Sequence, residues 1–273
     1  MDYKLIVSDL DGTLLTNDMK LSPENAEAIK KLTELGIEFA VSSGRTLYEV
    51  PSCIREFPYI RYIAYSNGTA IYDKKLGRDI SSMRISRETV NKIFDVLSDY
   101  DVVCSIHVDG KACLEEGIVK DETWEKYQIN DYYREILLEQ ERVASEEELA
   151  RSSEGVEAVV MFFSNDSEIE PCRRRLEAIG GITVTSSVEH NLELCSRDAG
   201  KGRAFKTLME HLDIKKEETV AVGDNMNDTS MFAEAGFALC AKNGSEGAKT
   251  LADKVICSFD EHTAKYIYEM LTM

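Results

Sequence analysis

The sequence predicts an α/β protein in which a parallel-sheet domain is split by an inserted α+β domain. Three observations carry this expectation. Short apolar runs such as Leu5-Ile6-Val7, residues 37–41 and residues 219–222 end in loops rich in Asp, Ser and Gly, as strands buried on both faces of a parallel sheet do. Helix-spaced apolar residues separate the first two, giving a β-α-β unit whose crossover is right-handed. Between residues 84 and 189 hairpin and α+β signals replace this alternation. The expected boundaries are 1–83 for the first part of the core, 84–189 for the insertion and 190–273 for the second part.

After the first strand, Ser22-Pro23-Glu24 is a helix start, with a capping hydroxyl, Pro at the first helical position and an acid behind it. Ala28, Ile29, Leu32 and Leu35 follow at i, i+1, i+4 and i+7, and Gly36 stops the helix before the strand at 37–41. Tyr62-Ile63-Ala64-Tyr65 reads as a third strand; Asn67-Gly68 and Lys75-Leu76-Gly77 carry turn chemistry. In the insertion, Val90, Ile93, Phe94 and Leu97 mark a helix after Ser86. Asp109-Gly110 joins two strands as a hairpin. The polar, acidic stretch 120–150 contains a capping box, Ser145-x-x-Glu148. Residues 156–163 form a strand, Ser167-x-x-Glu170 opens a helix that Gly180-Gly181 ends, and 182–184 form another strand. Then α/β alternation resumes: Phe205, Leu208, Met209 and Leu212 on a helix, strands at 219–222, 237–240 and 254–257, and a closing helix with Ala264, Ile267, Tyr268 and Leu271.

Composition narrows the function classes. With 32 Lys+Arg against 50 Asp+Glu, the formal net charge is −18, which argues against nucleic-acid binding, where clustered cations displace counterions. It does not exclude a small anionic substrate, because local potential decides that. No apolar run reaches the roughly 18–20 residues that span a bilayer, and the opening MDYKLIVSDLDGTLL lacks the parts of a secretory leader. The seven Cys are scattered, with no C-x-x-C spacing, and are expected to be reduced thiols in a cytoplasmic protein, with no zinc site.

Four segments carry chemistry. Asp9-Leu10-Asp11-Gly12-Thr13 follows the first strand. Asp-Gly alone is turn chemistry, but here two carboxylates stand at the carboxyl end of a buried strand, where open α/β sheets bind ligands. Crowded like charges call for a cation or a shared proton. Ser42-Ser43-Gly44-Arg45 follows the second strand; its hydroxyl and bare amides suit an oxyanion, although such loops are often plain turns. Gly200-Lys201-Gly202 opens a helix, where the dipole disfavours a cation unless it faces an anion. Gly223-Asp224-Asn225-Met226-Asn227-Asp228 ends the strand at 219–222 and offers the hard oxygen ligands that suit Mg²⁺. The set fits a phosphoryl group with Mg²⁺.

DLDGT, SSGR, a Lys and GDNMND, in this order, resemble the haloacid dehalogenase-like superfamily, and the long insertion resembles that of the Cof-type phosphatases with a C2 cap. The resemblance covers essentially the whole chain. Ser43 stands where the family more often has Thr, and the hydroxyl is kept. The resemblance implies a Rossmann-like core with an inserted cap, and a Mg²⁺-dependent phosphatase acting on small phosphorylated metabolites such as sugar phosphates. Asp9 would be the nucleophile that forms an aspartyl-phosphate, and Asp11 the acid–base. Mg²⁺ would be held by Asp9, the main-chain carbonyl of Asp11 and Asp224. Ser43, the amides of Gly44 and Leu10, and Asn227 would hold phosphate oxygens, and Lys201 would add positive charge. Asp228 would orient Lys201 or a metal-bound water, Thr13 would brace the first loop, and Arg45 would either touch substrate or stabilise its own loop. The insertion would act as a lid that excludes water and reads the leaving group, with Glu193 as a substrate contact at the seam.

Other residues are weighed against bland roles. His107 and His190 are set between substrate contact and structure, and His211 and His262 are read as surface residues in helices. Trp124 and Tyr127 either wall a pocket or fill a core. Competing functions are a phosphomutase of the same superfamily, a phospho-receiver module and an inactive binding protein. The expected partner is a small phosphorylated molecule, without nucleic acid or membrane, and self-association is left open.

Overall fold

The computed structural model describes residues 3–186 and 188–272. The chain divides into two units, Met1–Ser82 with Ala199–Met273, and Met83–Asp198.

Among the described residues the first unit carries an eight-stranded sheet in the order Lys254–Val255, Phe237–Cys240, Thr219–Gly223, Leu5–Ser8, Glu38–Ser42, Tyr62–Tyr65, Ala70–Asp73 and Arg78–Ser82. The first six strands run parallel and the last two pairings are antiparallel. The continuous apolar runs are explained by cover on both faces. Ile6, Phe39, Val41, Val220 and Val222 face one cluster with Ile29, Leu32 and Ile267 of the helices Pro23–Glu34 and Thr263–Thr272. Leu5, Val7, Ala40 and Ala221 alternate with them and face Phe205, Leu208 and Met231 on the other side. The chain leaves Leu5–Ser8 toward Glu38–Ser42 on one side and later returns to it through Thr219–Gly223 on the other, so the strand order reverses at Leu5–Ser8. Ser8 is level with both Val41 and Val222, which sets the loops after these three strands side by side.

The helix Pro23–Glu34 begins as expected, with the Ser22 side chain accepting from the Asn25 amide. Buried Asn25 donates to the Leu14 carbonyl and accepts from the Ala264 amide, joining the first loop to the closing helix. His262 stands in a left-handed conformation before that closing helix rather than inside it, with its Nδ1 3.0 Å from Ser22 Oγ.

The second unit has its own six-stranded sheet among the described residues, ordered Ile182–Thr185, Asn191–Ser196, Ala158–Phe163, Val102–Val108, Lys111–Glu115 and Glu141–Val143. On one face Ile106, Val159, Met161, Leu192 and Leu194 pack with residues of the helices Arg87–Leu97 and Ile169–Ile179. On the other, Val103, Leu114, Val160 and Phe162 pack with Trp124, Tyr127 and Leu137. Trp124 and Tyr127 are therefore core. The helix that Ser167 was expected to cap starts later: the Asn165 side chain caps a short 3₁₀ turn, and the α-helix runs Ile169–Ile179.

One boundary differs from the sequence reading. Asn191–Ser196 was assigned to the second part of the core, yet it pairs antiparallel with Ala158–Phe163 and with Ile182–Thr185. Its Leu192 and Leu194 fill the inserted unit's own core. The return to the first unit comes at Ala199.

Glu157 lies fully buried in the inserted unit. Its Oε1 accepts from Arg84 Nε at 2.9 Å and from the Gly110 amide at 3.4 Å, while its Oε2 has no hydrogen-bond partner among the described residues. Burial pushes its carboxyl up to about 7 against the pull of Arg84, from an ordinary 4.5. The folded unit thus binds this proton more tightly than the unfolded chain. Its contribution is fully present below about pH 4.5 and is lost as pH rises toward 7. Thermal unfolding measured across that window should show wild-type stability falling relative to Glu157→Gln by about 3 kcal/mol. Parallel curves for the two proteins would contradict the assignment.

Candidate active site

The first loop leaves the central strand with Asp9, whose amide donates to the Val222 carbonyl at 2.9 Å. Gly12 has φ +73°, and a Cβ there would stand 2.6 Å from Asp224 Oδ2, so the turn must be glycine to pass this side chain. Thr13 donates from Oγ1 to Asp224 Oδ1 at 3.2 Å, and its carbonyl accepts from Thr263 Oγ1.

Lys201 opens the helix Lys201–Leu212 and is buried. Its Nζ donates to Asp9 Oδ1 and to Asp228 Oδ1, each at 2.7 Å. The other oxygen of Asp228 accepts the amides of Asp224 and Asn225, both at 2.9 Å. With one oxygen on the Lys201 ammonium and the other on two amides, buried Asp228 anchors Lys201 and the loop after Thr219–Gly223. Burial works against the Lys201 charge, but the two carboxylates outweigh it and hold the ammonium above its ordinary value. Burial pushes the Asp9 carboxyl up to about 8, opposed by Lys201 and the Leu10 amide and reinforced by Asp228. Burial and then the charge of Asp228 raise Asp224 as well.

Among the described residues Asp9, Asp224 and Asp228 each offer a carboxylate oxygen within 4.8 Å of one another. Three acids share one buried ammonium, which leaves an excess of negative charge where low dielectric makes it costly. Hard oxygen donors with a charge deficit fit a divalent cation such as Mg²⁺. Since Asp228 is committed to Lys201 and two amides, Asp9 and Asp224 are the side chains with oxygen to give.

Asp11 is turned elsewhere. Its Oδ2 accepts from Arg45 Nε at 2.8 Å and its Oδ1 from Arg45 Nη2 at 2.9 Å. Ser43 is buried, and its Oγ accepts the Arg45 amide at 3.2 Å. The next parallel strand delivers residues that sequence reading treated only as a turn. Ser66, Asn67 and Gly68 have φ of 49°, 54° and 81°, a run of left-handed backbone that costs on the order of 1–2 kcal/mol for each non-glycine. In that conformation the Ser66 amide donates to the Arg45 carbonyl at 2.7 Å and the Asn67 amide to the Ser43 carbonyl at 2.9 Å. Asn67 Oδ1 accepts from Asn227 Nδ2 at 3.1 Å, and the Asn67 side chain lies against Gly44. Asn243 was also missed. Its Nδ2 donates to the Gly12 carbonyl at 2.8 Å while its Oδ1 accepts from Ser258 Oγ and the Phe259 amide. Asn67 could have been found, since an Asn-Gly after a parallel strand lies on the same sheet edge as the acids. Nothing in the spacing of Asn243 marks it.

All the residues predicted for the site on the first unit, namely Asp9, Leu10, Asp11, Thr13, Ser43, Gly44, Arg45, Lys201, Asp224, Asn227 and Asp228, stand in the loops at the carboxyl ends of neighbouring parallel strands or at the helix start beside them. Glu193 does not. It lies on a strand of the inserted unit, where its Oε1 accepts from Tyr133 and Asn191. His190 is in the same unit, its Nδ1 2.5 Å from Asp166 Oδ1. His211 is exposed, its ring edge-on to Tyr62.

Along nearly its whole length, at residues 6–266, the sequence matches the haloacid dehalogenase-like hydrolases. The chain belongs to that family. It is 30% identical to phosphatase YwpJ of Bacillus subtilis (strain 168) over 98% of this chain and 99% of that one. It is 26% identical to 5-amino-6-(5-phospho-D-ribitylamino)uracil phosphatase YwtE of the same strain, over 98% of each. Among solved structures, TM0651 from Thermotoga maritima superposes with a TM-score of 0.82 at 25% identity, covering 99% of this chain and 98% of that one. The fold is thus the Rossmann-like core with an inserted cap, and the chain is a hydrolase of the phosphatase kind. No helix among the described residues is long and apolar enough to cross a membrane.

Breaking the buried pair tests the electrostatics. Asp228→Ala removes one partner of Lys201 and leaves the amides of Asp224 and Asn225 unpaired. Urea denaturation should show a loss of about 3–5 kcal/mol, the cost of stranding a buried charge. A loss below about 1 kcal/mol, the worth of a surface pair, would show that Asp228 is not the anchor.

Proposed function

We propose that the protein is a Mg²⁺-dependent phosphatase of small phosphorylated metabolites, sugar phosphates foremost, working through an aspartyl-phosphate on Asp9. The carrying observation is the buried Asp9–Lys201–Asp228 bridge with Asp224 beside it. Lys201 keeps one Asp9 oxygen in place and leaves the other to react.

In the first half-reaction Asp9 attacks phosphorus as the bond from phosphorus to the leaving oxygen breaks. The electron pair stays on that oxygen, which takes a proton from Asp11. In the second, water attacks the same phosphorus, gives a proton to Asp11, and the Asp9–phosphorus bond breaks. The sum is one ester and one water converted to one alcohol and one phosphate. Lys201, the Ser43 hydroxyl, the amides of Gly44 and Leu10, and Asn227 receive the phosphoryl oxygens, whose charge grows toward the transition state. Asp9, Asp224 and the Asp11 carbonyl would hold Mg²⁺, which when bound offsets the repulsion between the Asp9 carboxylate and an anionic ester. Thr13 and Gly12 shape the loop around Asp224.

The substrate class is supported by a named relative: the substrate in the name of YwtE is itself a phosphorylated ribityl compound. Selection among esters is assigned to the inserted unit. Seven free thiols suit a reducing compartment, so we place the protein in the cytoplasm.

Release of p-nitrophenol from p-nitrophenyl phosphate, assayed with Mg²⁺ and with EDTA, tests the reading. Turnover should vanish in EDTA and return with Mg²⁺. Asp9→Asn should retain less than about 1% of wild-type kcat, since it removes the nucleophile. Activity that survives either treatment overturns the mechanism.

A further inference from the structure

The guanidinium of Arg45 grips both oxygens of Asp11, through Nε at 2.8 Å and Nη2 at 2.9 Å. The sequence sets Arg45 between touching substrate and bracing its own loop; its Nη1 bond to the Glu49 carbonyl fits the bracing role, and the grip on Asp11 is a further contact. We infer that Arg45 is a positioning residue for proton transfer by Asp11, so that it governs which leaving groups the enzyme can expel. The inference rests on Asp11 being the acid–base.

The geometry around Arg45 is built rather than incidental. Its amide donates to Ser43 Oγ and its carbonyl accepts from the Ser66 amide, so its backbone is tied to the second and third strand loops. Its Nη1 donates to the Glu49 carbonyl at 3.3 Å and its Nη2 lies 3.3 Å from Met19 Sδ. The Glu49 carboxylate accepts the amide and hydroxyl of Thr46, which closes the turn that presents Arg45. The Arg45 side chain is 29% exposed and that of Asp11 41%. Partial exposure screens the charge attraction within this pair. The grip does orient a carboxylate, because a fork of two parallel N–H groups fixes the plane and direction of both oxygens.

A leaving group that departs readily as an anion does not need the proton. The test is kcat/KM on two aryl phosphates of similar shape, p-nitrophenyl phosphate with a weakly basic leaving group and phenyl phosphate with a more basic one. Arg45→Ala should lower the value for phenyl phosphate about 100-fold, the cost of a misplaced catalytic group, and for p-nitrophenyl phosphate only a few-fold. Arg45→Lys keeps the charge without the fork and should show the same selective loss; it carries the test should the alanine variant not fold. Asp11→Asn should be selective in the same direction, and adding Arg45→Ala to it should cost little more. Equal losses on both substrates in the Arg45 variants, with Asp11→Asn still selective, overturn the role of Arg45 alone. Equal losses in Asp11→Asn remove the acid–base reading and the inference with it.

Discussion

A lysine ammonium buried between two carboxylates is the constraint on which the site depends. Lys201 has almost no solvent contact, so its charge survives only because Asp9 and Asp228 each stand 2.7 Å from it. Neither acid is near Lys201 in the chain, and the helix that carries the lysine must come close. Gly202 permits this: a Cβ there would lie 2.3 Å from the Ser230 carbonyl, and its amide instead donates to Ser230 Oγ. The same bridge leaves the acids in excess. Desolvation and the surplus carboxylates raise Asp9 and Asp224 together, which is the condition a divalent cation relieves.

Around that bridge the sheet gathers everything else. Parallel strands put all their carboxyl ends on one edge, and strand order reverses at the strand that ends in Asp9. The loops are braced by bonds between neighbours, not by their own sequence. Asn67 joins Asn227, the amides of Ser66 and Asn67 reach the second loop, and Asn243 holds the Gly12 carbonyl. The left-handed backbone at Ser66 and Asn67 is strain accepted where it fixes Ser43 and Arg45 from behind.

The inserted unit is a separate folding problem with two apolar clusters, one on each face of its sheet. Its hairpin at Asp109-Gly110 and its helix Arg87–Leu97 were readable because turn chemistry and helical spacing are local. The acidic stretch was readable only at Ser145, whose side chain caps the helix Glu146–Ser152 by accepting the Glu148 amide. It resolves into the short helices Asp121–Lys126, Asp131–Glu139 and Glu146–Ser152 and a three-residue strand, too brief for a period to show. Asn191–Ser196 was misassigned because the alternation of Leu192 and Leu194 states that one face is buried without stating which core buries it.

Sequence alone determined the family and the layered α/β core, and singled out the acids, the hydroxyl and the lysine as the candidate site. Those signals are local: apolar runs with period, caps, and reactive residues directly after a strand. Tertiary structure decided how the charges are shared. That Asp228 is spent on Lys201 and two amides, that Asp11 faces Arg45, and that Asn67 and Asn243 belong to the site all depend on where side chains distant in sequence meet. A residue's type and spacing state what it can bond to, while the packing of strands and helices selects which partner is within 3 Å, and burial decides how strongly that choice binds.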